Sequence, residues 1–69
     1  MISFLIEYNR KTGFVDVVEY SDPRLAFQER FRRTESRPSR DIEVVVVQAD
    51  SLEVIRESHS RYFMREVAV

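Results

Sequence analysis

The sequence predicts one α+β domain over residues 1–69, with element order β-β-α-β-α. The expected architecture is two-layered: a small three-stranded mixed sheet in order 2-1-3, with both helices on one face. Three observations predict it. Two β-branched and aromatic runs flank a turn that holds the chain's only glycine, two segments carry helix-start signals, and four consecutive valines lie between those segments.

Residues 2–8, ISFLIEY, alternate partly and are rich in strand formers, so they read as the first strand. Asn9-Arg10-Lys11-Thr12-Gly13 closes a hairpin, because Gly13 takes a positive φ at no steric cost. Residues 14–20, FVDVVEY, return as the second strand. Asp22 is placed to cap a helix and Pro23 suits its first turn, where a missing N–H costs nothing. That helix runs to Glu35, with Pro38 beyond it, and Phe27, Phe31 and Thr34 mark its expected core face, with Ala26 at the edge. Residues 41–49, DIEVVVVQA, read as a strand covered on both sides. Asp50 to Glu53 has capping-box spacing, and the helix expected after it carries Leu52, Ile55, His59, Tyr62 and Phe63 along one stripe to residue 63. Residues 64–69 fit either a short fourth strand or more of that helix. A β2–α1–β3 crossover places the third strand parallel to the second and beside the first. The valine-rich strand then becomes an edge, which natural proteins avoid leaving bare.

Composition narrows the function. With 69 residues there is room for one core, and no cysteine supplies a disulfide or a thiolate. Charged residues make up 33% and nearly cancel at net −1, so the chain is neither an acidic tail nor a uniformly basic coat. A single glycine leaves no Gly-rich phosphate loop. The N-terminus has no basic region before a long apolar core, and no apolar run reaches the ~18 residues of a membrane span. The expected location is the cytoplasm, with no membrane contact.

His59 is the only histidine, and its neighbours Ser58 and Ser60 point to different sides of a helix, so they build no catalytic group with it. One His and no Cys do not make a metal site. The sequence therefore predicts no enzyme, no catalytic residue, no metal and no cofactor. Residues 24–40 hold six Arg and two Glu, net +4, against net −2 before them and −3 after them. Arg30, Arg33, Arg37 and Arg40 form a candidate anion-binding set, since the guanidinium fork matches phosphate. A nucleic-acid or polyanion binder is the alternative function.

The preferred expectation comes from the sheet. Pairing Tyr8 with Gly13 sets Ile2, Phe4, Ile6, Val15 and Val17 on one face, toward the helices. The other face then carries Leu5, Phe14, Val18 and Tyr20, too apolar for water alone. With Val45 and Val47 at the valine edge, these residues are the candidate interface. The expected function is a small interaction module that forms a homodimer or docks on a larger protein partner through that face and edge.

Overall fold

The structure is a computed structural model and describes residues 1–63. Its elements run β1 (Ile2–Asn9), β2 (Val15–Tyr20), α1 (Pro23–Ser36), β3 (Ile42–Ala49), α2 (Leu52–Ser58) and a closing 3-10 turn (Ser60–Phe63). The α+β class and strand order β2-β1-β3 match the sequence expectation. Both neighbours of β1 run opposite to it, so the sheet is antiparallel throughout rather than mixed. The fourth-strand expectation for residues 64–69 lies outside the described residues. No described helix is long and apolar enough to cross a membrane.

Gly13 closes the hairpin at φ 79°. Its N–H donates to the Asn9 carbonyl at 2.8 Å, and the Asn9 N–H donates to the Phe14 carbonyl at 2.9 Å. The Asn9 side-chain oxygen also accepts from the Lys11 and Thr12 amides, which folds the loop back on itself. Tyr8 faces Val15 and Ile6 faces Val17, two residues away from the expected register. A two-residue slip leaves each side chain on its face, so the expected face memberships hold.

The helices do not share a face; they cover opposite sides of the sheet. On one side Phe4 and Ile6 form a core with Ile55, Tyr62 and Phe63 from α2 and the 3-10 turn, and Val17, Val45 and Val47 pack against it. Tyr8 meets Tyr62 edge-on, ring centroids 5.1 Å apart. On the other side α1 packs across all three strands, and Leu5 and Ala26 are fully buried. The valine run explains why one layer of helix does not suffice. Val45 and Val47 point to the α2 side, Val44 and Val46 to the α1 side, and each pair needs a cover.

Asp22 caps α1 by accepting from the Arg24 amide at 2.9 Å, as expected. The helix is rotated from its expected orientation, however. Phe27 and Phe31 are 53% and 68% exposed, while Ala26 faces the sheet. A methyl group lets the helix backbone approach closely, and the guanidinium groups of Arg30 and Arg33 reach the strands on either side, at Val44 and Asp16. The first turn of α2 also differs: Ser51, not Asp50, is its cap, accepting from the Val54 amide. α2 stops at Ser58, where His59 takes φ −124°, and the 3-10 turn carries Tyr62 and Phe63 back onto the core.

Candidate association site at the β3 edge

Antiparallel pairing fixes which backbone groups of β3 face outward. The Arg10 N–H donates to the Asp41 carbonyl at 2.9 Å, in line with the register that sets Asn9 opposite Ile42. Hydrogen-bonded pairs alternate along such a ladder, so Glu43, Val45, Val47 and Ala49 turn their N–H and C=O groups toward β1. Ile42, Val44, Val46 and Gln48 turn theirs away, to the free edge.

Half of this edge is closed by arginines from α1 and its end. Arg37 Nη1 donates to the Ile42 carbonyl at 3.2 Å, and Arg30 Nε donates to the Val44 carbonyl at 3.1 Å. The Ile42 N–H donates to the Ser39 carbonyl. Covering an edge with charged side chains is how natural sheets resist unwanted pairing. Among the described residues nothing pairs with the outward groups of Val46 and Gln48. Among the described residues they form a short open stretch of edge.

Phe27 and Phe31 lie on the side of α1 that faces this edge, as the partners of their helix neighbours show. With Ala26 against the sheet, Arg33 and Glu29 fall on the β2 side of α1, and Arg33 reaches Asp16 of β2. Arg30 falls on the β3 side, and Phe27 and Phe31 follow it around the helix at 100° per residue. That spacing sets Phe27 about 100° and Phe31 about 140° around the helix from Ala26, both exposed, on the β3 side of α1 and turned away from the sheet.

The expected interface residues are scattered by this arrangement. Leu5 is fully buried under α1, and Val18 and Tyr20 are half-buried on the same side, so that sheet face is not open. Phe14 alone of that group is exposed, at 62%, at the end of the hairpin loop. Val45 and Val47 are half-buried against the core and bond toward β1, so the free edge belongs to their neighbours. The signal that sequence reading passed over is the pair Glu7 and Asp16. Two carboxylates opposite each other on a face called open require a cation above them, and α1 supplies it.

That cation is Arg33. It contacts Glu29 at 2.8 Å, Asp16 at 3.1 Å and Glu7 at 3.3 Å, and Arg32 also binds Glu29, at 2.6 Å. These bonds, from Arg32 first and then Arg33, hold the Glu29 carboxyl at about 2, well below its usual range. The Glu29 hydrogen bond raises Arg33 in turn. A cleft of about 370 Å³ opens beside this cluster, lined by Glu7, Asp16, Arg32, Arg33 and Arg37 among others. Of the candidate anion-binding set, Arg33 is surrounded by three carboxylates, and Arg30 and Arg37 hold β3 carbonyls. Arg40 sits in the turn before β3, where its carbonyl accepts from Arg10. The four do not converge on one free surface.

The same cluster predicts an acid response. A carboxyl whose folded pKa is lowered stabilises the fold fully above its unfolded value near 4.5, and that contribution is lost as pH falls toward about 2. Arg33→Met removes the cation shared by Glu7, Asp16 and Glu29 and leaves Arg32 alone on Glu29. Thermal melts should show the variant less stable than wild type at neutral pH, with the gap narrowing below pH 4.5 as the Glu29 carboxyl protonates. A gap that stays constant on acidification would show that packing, not charge, accounts for the loss.

His59 stacks parallel to Tyr62, with centroids 6.3 Å apart, and its Nδ1 lies 2.8 Å from Ser58 Oγ. The same hydroxyl lies 3.0 Å from the Val54 carbonyl, one turn back in the helix.

Fold and site together describe a three-layer α+β domain with one partly capped strand edge. Compared with protein-family models, curated protein sequences and solved structures, the chain matches none.

Proposed function

We propose that this chain is a small interaction module that associates with a second copy of itself through the β3 edge and the Phe27–Phe31 side of α1. The observation that carries the reading is the juxtaposition of the open Val46–Gln48 edge with two exposed phenylalanines. Each feature alone is a liability in a monomer, since an open edge invites pairing and exposed rings invite burial. Side by side they are mutually compatible parts of one contact. An antiparallel β3–β3 pairing has a two-fold axis normal to the sheet, so both α1 helices lie on the same side and their Phe27 and Phe31 rings meet at the axis.

Light scattering on the eluted protein tests this. The expected mass is twice 8.3 kDa, with low absorbance at 260 nm. Replacing Phe27 and Phe31 together by Ser is expected to shift the population toward 8.3 kDa at an unchanged far-ultraviolet spectrum, because neither ring contributes to the core. A wild-type monomer at all concentrations would overturn the proposal. A 260 nm signal that vanishes in salt would favour the polyanion reading, with a log–log slope of about −0.7 to −0.9 per phosphate neutralised.

A further inference from the structure

Resting on that reading of a two-fold contact, we infer that the copies pair in one antiparallel register, centred on Val47, and that Arg30 selects it by occupying the Val44 carbonyl. Four residues of β3 face the free edge, and they are not equivalent. Ile42 is engaged at both groups, its N–H by Ser39 and its carbonyl by Arg37. Val44 has its carbonyl engaged by Arg30. Val46 and Gln48 alone offer a donor and an acceptor each.

Two identical antiparallel strands pair symmetrically about a point, so the register is set by which residue sits there. Centred on Val47, Val46 faces the second copy's Gln48 and Gln48 faces the second copy's Val46. Both pairs are complete, four hydrogen bonds form, and no guanidinium moves. Centred on Val46, the second copy's Gln48 faces Val44 and its N–H must enter the space that Arg30 Nε fills, and symmetry imposes this displacement twice. A centre nearer to Ile42 displaces Arg37 as well.

Charge favours the same register. Arg30 is held by a carbonyl and has no carboxylate partner among the described residues. Centring on Val47 sets the second copy's Asp50 opposite Val44. Asp50 is exposed and follows Ala49, the last residue of β3, at a bend, so its N–H does not extend the ladder to Val44 while its charge comes close to the other copy's Arg30. The contact thus repeats one Arg30–Asp50 pairing at each end.

The chain has no cysteine, so single-cysteine variants read the register directly. In this register Val47 opposes its own copy in a non-hydrogen-bonded pair, where Cα atoms lie about 4.5 Å apart, within the disulfide range of about 4.4–6.8 Å. Oxidised Val47→Cys is expected to run as a covalent dimer, while Val46→Cys stays uncrosslinked. Adding Arg30→Ala frees the Val44 carbonyl and should move the crosslink to Val46→Cys, where three hydrogen-bonded pairs become available. Crosslinking at Val46→Cys with Arg30 intact, or a crosslink indifferent to Arg30→Ala, overturns the inference. So does a wild-type dimer in which neither cysteine links while both variants keep the native circular dichroism. That last result leaves self-association standing, whereas a wild-type monomer removes it.

Discussion

Phe4→Ala is expected to leave most of the chain unfolded at room temperature. Phe4 is fully buried in the central strand, and its ring joins the core formed with Ile55, Tyr62 and Phe63. Truncating a buried Phe to Ala costs roughly 3–5 kcal/mol, from lost transfer energy and from the cavity left behind. A single core in a domain this small supplies roughly 3–5 kcal/mol in net stability, with no disulfide to add to it. The loss therefore equals the reserve. Phe31→Ala makes the same chemical change on a ring that is 68% exposed, and its melting curve as a monomer is expected to stay close to wild type. Far-ultraviolet circular dichroism with urea titration compares the two. A Phe4→Ala midpoint near that of wild type would mean that the α2 side of the sheet is not the main core.

The contrast between these two phenylalanines shows where sequence periodicity succeeds and where it fails. Strand placement was legible because β1 and β2 carry their own evidence: alternating runs, one glycine at the turn and a register tied to face parity. The position of β3 beside β1 followed from the hairpin and the crossover, and with it the puzzle of an apolar edge. The orientation of α1 was not legible from its own residues. Spacing alone favours Phe27 and Phe31 as the buried stripe, as it would for any amphipathic helix. What turns the helix is a requirement of the sheet beneath it. Glu7 and Asp16 stand opposite each other on a face that also holds Leu5 and Val18, and Arg33 is the side chain that both covers that face and neutralises them. Once Arg33 and Ala26 face the sheet, Phe27 and Phe31 have no course but outward. The edge-capping roles of Arg30 and Arg37 follow from the same rotation. Composition marks these arginines only as local positive charge, and their actual partners are neutral carbonyls of β3, 14 and 5 residues away, that no spacing rule connects.

Adjacent proline substitutions in β3 are expected to have opposite consequences. Proline removes one N–H, so its effect depends on where that N–H points. At Val47 it points to Phe4 of β1, inside the ladder that joins the edge strand to the central one. Val47→Pro breaks that ladder in mid-strand and presses its ring against β1, a change that strands do not accommodate, and the variant is expected to be unfolded or insoluble. At Gln48 the N–H points to the free edge, the position where natural edge strands do carry proline, and the side chain is exposed. Gln48→Pro is expected to keep the native circular dichroism and melt cooperatively as an 8.3 kDa monomer. It loses the pairing because each copy presents a ring where a donor stood, at two symmetric places. If Gln48→Pro remains folded and dimeric, the contact does not run along β3. If both variants unfold alike, the strand is held from both sides and the edge is not free. Only an edge that is closed at Ile42 and Val44 and open at Val46 and Gln48 makes neighbouring residues respond so differently.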